Sequence, residues 1–385
     1  VDTLSNTKKL LGELIAFPTI SSNSNLDMIH HLALYLSNAK AEVEIWQDTT
    51  GSKANLFATI GPNVDGGIVL SGHSDVVPVA DQDWTTDPFE MVERDEKLFG
   101  RGSCDMKGFI ASVVAMAPQY ALLDLKRPIH FAFTYDEEVG CFGAKALAES
   151  LRQYGIQPAV AIIGEPTSMR IIEGHKGCYE YTTQFTGFEG HGSSPEKGVN
   201  AVEYAAQYVN HLLELKSELR TRAPAQSRFD PPWTTINTGS LIGGVAHNVI
   251  PGKARVDWEM RPVQRSDADY VKDSLNRLCT HTLIPAMQAI SPEANIITEV
   301  IGEVDGLEPV AQNEAREILR ELTGAKEADV APFGTEAGIF QDLGMTAVVC
   351  GPGSIDQAHK PDEYVSLDQI SQCLEMLEGL CDRLT

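Results

Sequence analysis

Short, nearly unbroken apolar runs at residues 54–60, 68–71, 129–135 and 160–163 constrain this chain more than any other feature. Such runs are too short for most helices and lack the alternation of a strand with one wet face. They suit interior strands of an α/β sheet whose two faces are both covered by helices. Helical spacing accounts for the stretches around them. Leu10, Leu11, Leu14 and Ile15 precede a stop at Pro18, Ile29, Leu32, Ala33 and Leu36 repeat the pattern, and residues 109–123 predict a helix between the second and third runs. Polar residues follow the runs abruptly: His73 after the second, Glu137 and Glu138 after the third, Glu165 after the fourth. Open α/β sheets bind ligands beyond the carboxyl ends of their strands, so these residues are placed to share one crevice.

From Cys178 the pattern changes to alternation, with Tyr179, Tyr181, Thr183 and Phe185 on one face of a predicted strand. A Gly-rich turn at residues 187–192 and a long amphipathic helix carrying Val202, Ala205, Ala206, Val209, Leu212 and Leu213 come next. Strands at 234–241 and 254–260, a helix opened by Ser266 with Asp269 as a capping box, and a strand at 295–304 complete the segment. This order describes a small α+β sandwich inserted into an α/β domain. The expected division is therefore residues 1–178 and 306–385, with a mostly parallel sheet covered by helices, and an inserted domain of residues 179–305. The last section returns to α/β style, with Ala315, Ile318, Leu319 and Leu322 on a helix ended by Gly324.

Thirty basic residues against 54 acidic ones leave a net charge of −24, which repels phosphate backbones and anionic membranes. No apolar stretch approaches the roughly 18 residues of a spanning helix, and residues 1–10 lack a basic region followed by an apolar block. The seven cysteines are odd in number, scattered and never spaced C-x-x-C, so neither a disulfide framework nor a thiolate zinc site is expected. These features predict a soluble, cytoplasmic protein that binds neither nucleic acid nor membrane.

The candidate chemistry begins at His73-Ser74-Asp75. A carboxylate on the second nitrogen of a ligating imidazole sets its tautomer and raises its basicity; a plain strand-end histidine in a polar turn fits the same spacing. Asp105, between Gly102 and Gly108, precedes the helix of Phe109 and could cap it, bridge metals, or do both. Asp136-Glu137-Glu138 puts three acids at a strand end, where solvent or a cation must screen them. Glu165 in Gly164-Glu165-Pro166-Thr167 and His359 in a polar loop before Lys360-Pro361-Asp362-Glu363-Tyr364 are ordinary one by one. Together the set offers two imidazoles and several carboxylates, donors suited to two zinc, cobalt or manganese ions.

In this order the segments His73-Ser74-Asp75-Val76-Val77-Pro78, Gly100 to Gly108, Asp136-Glu137-Glu138, Gly164 to Thr167 and His359 to Tyr364 resemble the dinuclear zinc aminoacylase and carboxypeptidase family. The resemblance spans nearly the whole chain. It implies that His73 and Glu165 hold one metal ion, that Glu138 and His359 hold the other, that Asp105 bridges them and that Asp75 orients His73. Glu137 is then the implied general base, taking a proton from the bridging water and passing it to the leaving amine. His191, in Gly190-His191-Gly192, is implied to stabilise the oxyanion, often in the partner subunit's active site; a turn histidine is the alternative. The implied cofactors are two divalent ions, zinc first, with cobalt or manganese as alternatives. The implied assembly is a homodimer formed through the inserted lid or dimerisation domain.

A free carboxylate beside the scissile amide unites the family's substrates. Asn248 and Arg261 resemble the residues that hold it, since a guanidinium fork matches a carboxylate; an external salt bridge is the other use of Arg261. Residues 351–364, and residues 164–167 followed by 175–177, are most similar to the branch that deacetylates N-acetylornithine in arginine biosynthesis. Glu336, in Gly334-Thr335-Glu336, is the expected partner of that substrate's δ-ammonium, or else a helix N-terminal acid. Three readings compete: a desuccinylase acting on N-succinyl-diaminopimelate, a broader N-acyl-amino-acid aminoacylase, and a catalytically silent metal scaffold. Glu137 beside Glu138 argues against the scaffold.

Overall fold

Alternate residues of a strand face opposite sides of its sheet, and the apolar runs owe their continuity to burial of both. The computed structural model describes residues 2–385 and divides into two compact units. One comprises residues 2–174, Pro309–Val330 and Thr335–Thr385, the other His175–Glu308 and Ala331–Gly334.

The first unit is built on an eight-stranded sheet in the order Glu42–Gln47, Ala54–Ile60, Ile129–Thr134, Ile68–His73, Val160–Pro166, Thr346–Gly351, Ile172–His175, Asp329–Ala331. Its four central strands, from Ile129–Thr134 to Thr346–Gly351, are mutually parallel, and antiparallel strands flank them. Ile68 and Leu70 join a core with Phe109, Val113, Phe131 and Leu377, while Val69 between them is equally buried on the opposite face. Helix Lys107–Tyr120 packs against Thr3–Ile15 and Leu367–Leu384; Phe142–Tyr154 and Ala337–Asp342 pack on each other and on the sheet. The expected α/β architecture is present, with additions. The edge strand Glu42–Gln47 was illegible because it alternates exposed acids with half-buried residues and has no apolar run. A three-stranded antiparallel sheet, Tyr364–Ser366, Lys97–Phe99 and Val92–Arg94, sets Tyr364 opposite Phe99. That pairing joins the segment leaving His359 to the segment entering the Asp105 loop.

The second unit is the α+β sandwich that its alternation predicts. Thr235–Gly243, Lys253–Arg261, Cys178–Thr186 and Asn295–Val304 form an antiparallel sheet in that order. Helices Ala201–Thr221 and Arg265–Leu278 supply Tyr208, Leu212 and Val271 to a core with Tyr181, Phe185, Val256 and Trp258. The capping box expected at Ser266 does not form. The helix begins after Gln264 without a side-chain cap, and buried Asp267 accepts instead from Thr234 Oγ1 at 2.6 Å and Arg222 Nε at 3.1 Å. Among the described residues no helix is long and apolar enough to cross a membrane.

Candidate metal centre

Four adjacent parallel strands deliver side chains from their carboxyl ends. His73 ends Ile68–His73, Glu165 lies near the end of Val160–Pro166, Glu137 and Glu138 follow Ile129–Thr134, and His359 stands on the loop after Thr346–Gly351. Asp105 comes from the loop before helix Lys107–Tyr120. It is not a cap, since that helix has Met106 at its N-cap position and no side-chain cap bond. Gly164 lets the Glu165 strand seat against this helix, because a Cβ there would lie 1.9 Å from the Phe109 ring.

Asp105 presents one oxygen to each imidazole. His73 Nε2 lies 2.9 Å from Asp105 Oδ1 and 3.6 Å from Glu165 Oε1. His359 Nε2 lies 3.3 Å from Asp105 Oδ2 and 3.1 Å from Glu138 Oε2. The other nitrogen of His73, Nδ1, lies 2.9 Å from the backbone carbonyl of Asp75. A carbonyl only accepts, so Nδ1 carries a proton and Nε2 faces the acids. The Asp75 carboxylate is farther, at 3.5 Å, so the orienting role expected of it falls chiefly to its own carbonyl. That carboxylate accepts from Ser21 Oγ at 2.7 Å and from the backbone N–H groups of Glu137 at 3.1 Å and Glu138 at 3.3 Å.

The run of three acids separates by partner. Asp136 pairs with Lys53, Glu138 meets His359, and Glu137 is left beside the Cys141 thiol, 3.6 Å from its Oε1. His73, Glu137 and Glu165 present ligand atoms within 4.8 Å of one another, as do His73, Asp105 and Glu138.

Burial, then repulsion among neighbouring acids, pushes the carboxyls of Glu137 and Glu165 well above the usual range and raises that of Glu138. Asp105 moves the other way: burial opposes its charge, but hydrogen bonds to His359 and His73 hold it well below that range. His359 is pushed up to about 10 by its bonds to Asp105 and Glu138. His73 is raised by Glu165, Asp105 and Asp75, although burial works against its charged form. Glu165 Oε1 is buried with no hydrogen-bond partner. Clustered carboxylates, two imidazoles and an unpartnered oxygen fit divalent cations, whose charge reverses the penalty on the acids. His73, Asp105 and Glu165 would hold one ion, and Asp105, Glu138 and His359 the other.

Three other expected site residues belong to the second unit. A two-stranded ladder pairs His191 with Val249, and Gly192 N–H donates to the Asn248 carbonyl at 2.7 Å, so His191 and Asn248 are exposed neighbours. His191 Nδ1 lies 2.8 Å from Ser193 Oγ. Arg261 directs its fork at Glu259, with Nη2 at 2.7 Å and Nε at 3.0 Å from Oε2, the salt bridge held open as its other use. Glu336 requires a correction. It precedes helix Ala337–Asp342 without capping it, is wholly buried, and accepts from Ser71 Oγ at 2.5 Å and Thr134 Oγ1 at 2.7 Å. With both oxygens engaged inside the first unit, it is not presented to a substrate ammonium.

Two residues without a role in the expected site, Arg101 and Glu363, form an ion pair of 2.7 Å with each side chain 1% exposed. Their positions inside the two loop motifs were the available clue.

The family model described as peptidase family M20/M25/M40 matches residues 69–383. The chain is 36% identical over 371 residues to the acetylornithine deacetylase of Shigella sonnei, covering 94% of each chain. It is 35% identical to that of Salmonella heidelberg over the same shares. Among solved structures, aminopeptidase PepT from Bacillus cereus matches with a TM-score of 0.70 at 17% identity, over 99% of this chain and 98% of that one. The metallo-carboxypeptidase Sso-CP2 from Sulfolobus solfataricus gives 0.70 at 17%, over 97% and 98%. The YXEP protein of Bacillus subtilis, a dinuclear metal binding peptidase, gives 0.64 at 17%, over 99% and 98%.

Proposed function

This chain belongs to peptidase family M20/M25/M40 and is a metal-dependent hydrolase, and we propose that it cleaves N2-acetyl-L-ornithine to L-ornithine and acetate. Support for the substrate comes from the two relatives named as acetylornithine deacetylases. Support for the chemistry comes from one observation: Asp105 lies between two imidazoles, and Glu137 presents a ligand atom within 4.8 Å of one of them, His73, while paired with neither.

His73, Asp105, Glu138, Glu165 and His359 would hold two divalent ions, zinc in the first instance, which would supply Lewis acidity toward the amide carbonyl and water. Glu137 accepts the proton of the attacking water and delivers it to the departing nitrogen, a task open to it because its carboxylate is paired with neither imidazole. By accepting from Nδ1, the Asp75 carbonyl keeps Nε2 of His73 turned inward toward Asp105 and Glu165. His191 donates to the oxyanion, and Asn248 with Arg261 receives the substrate carboxylate. The working form is a homodimer joined through residues 179–305, with His191 serving the partner's site.

Initial rates on N-acetylornithine, N-succinyl-diaminopimelate and N-acetylmethionine test the proposal, with metal content measured on the same sample. N-Acetylornithine should give the highest kcat/KM, and activity should vanish on chelation and return with zinc, cobalt or manganese. A strong preference for N-succinyl-diaminopimelate would overturn the substrate assignment, and metal binding without turnover of any N-acyl amino acid would overturn the mechanism.

A further inference from the structure

Two loops carry Asp105 and His359, and one buried carboxylate is bonded into both. Glu363 Oε1 accepts from the backbone N–H groups of Cys104 at 2.9 Å and Asp105 at 3.0 Å; its Oε2 accepts from Gly102 N–H at 3.1 Å and Arg101 Nη1 at 2.7 Å. Three peptide groups of the segment that presents Asp105 therefore converge on one side chain. Arg101 extends the assembly. Its Nη1 also donates to the Lys360 carbonyl at 3.3 Å, its Nη2 donates to Gln82 Oε1 at 2.5 Å, and Gln82 Nε2 donates to the His359 carbonyl at 2.9 Å.

His359 has φ +63, a left-handed conformation that a non-glycine residue keeps only where its surroundings over-determine it. The bond from Gln82 acts on that residue's own carbonyl. A fully buried ion pair is a weak source of net stability, because desolvation offsets its attraction. Loop geometry is a better account of Arg101 and Glu363 than stability alone. We propose that Glu363, Arg101 and Gln82 are positioning residues that hold Asp105 and His359 at the spacing two metal ions require. The proposal rests on the metal-centre reading above, and it assigns these three residues no contact with metal or substrate.

The test loads metal-free full-length protein with Co2+ and reads stepwise affinity, visible absorption and urea unfolding of the metal-free form. Glu363→Gln should weaken both ions, because Asp105 serves both, by about 10- to 100-fold, the usual cost of losing a partner behind a metal ligand. Gln82→Ala removes the donor to the His359 carbonyl together with the acceptor of Arg101 Nη2 and Trp84 Nε1, and leaves every hydrogen bond of Glu363 in place. It should weaken one of the two ions by about tenfold, perturb the absorption band of that ion and leave unfolding of the metal-free form as in the wild type. Unchanged affinities and spectra in these variants would overturn the proposal, whatever happens to stability. If Glu363→Gln does not fold, Gln82→Ala decides, since its half-buried side chain lies outside the core. Wild-type protein that binds fewer than two Co2+ ions would overturn the metal-centre reading and this proposal with it, an outcome distinct from normal binding by the variants.

Discussion

Oδ1 of Asp75 accepts a hydrogen bond from the backbone N–H of Glu137 at 3.1 Å, which ties the strand end of His73 to the loop that carries the uncommitted acid. Asp75→Asn places an amide N–H2 against groups that already donate. The loop should shift, with metal affinity falling about 10- to 100-fold, as for other partners of metal-binding side chains, and kcat falling with it. Metal titration and initial rates check this, and a variant with wild-type values for both would show that the tie is dispensable.

Glu137→Gln preserves shape and removes the proton acceptor. It should keep the fold and most metal affinity while lowering kcat by about 100-fold or more. Near-normal kcat in the metal-loaded variant would exclude Glu137 as the base.

Glu336→Ala leaves the buried Thr134 hydroxyl without its acceptor and Ser71 Oγ with only the longer bond to the Ala132 carbonyl at 3.3 Å. Stability should fall by about 1–3 kcal/mol. The values of kcat/KM for N-acetylornithine and N-acetylmethionine should change by the same factor. A loss confined to N-acetylornithine would restore Glu336 as the ammonium partner.

His130 is buried in strand Ile129–Thr134, stacked on Phe57 and 2.9 Å from Thr59 Oγ1. Burial lowers its pKa to about 4, whereas an unfolded-chain histidine has one of about 6.5. Between these values the unfolded chain takes up a proton that the folded chain refuses, so stability is lost as pH falls through that window. The contribution is roughly 3 kcal/mol. In urea unfolding from pH 7.5 to 4, His130→Gln should show a shallower decline than the wild type. Parallel declines would mean that His130 is protonated at little cost in the fold.

Mixing Glu137→Gln with His191→Ala protein under subunit exchange tests the proposed homodimer. If His191 serves the partner's site, hybrid dimers hold one site with both groups intact, and activity should reappear. No recovery would place His191 in its own chain's site or outside catalysis.

Short-range chemistry was legible in the chain by itself. The apolar runs at 68–71, 129–135 and 160–163 needed no distant partner to be recognised as doubly covered strands, because their continuity records burial on both faces. Helix patterns at Leu10–Ile15 and alternation at Tyr179–Phe185 are equally local. His73, Glu138, Glu165 and His359 could be singled out because hard donors at strand ends are unusual and because their order resembles a known family. Only the tertiary structure decided which carboxylates face the site. Asp136, Glu137 and Glu138 are consecutive, yet Lys53, the Cys141 thiol and His359 take them in three directions. Glu336, expected from sequence to meet a substrate ammonium or to open a helix, is enclosed by Ser71 and Thr134, residues 265 and 202 positions away. The Arg101–Glu363 pair spans 262 positions. The free energy of a charged side chain depends on its distance to other charges and to water, and a linear chain encodes those distances only through its fold.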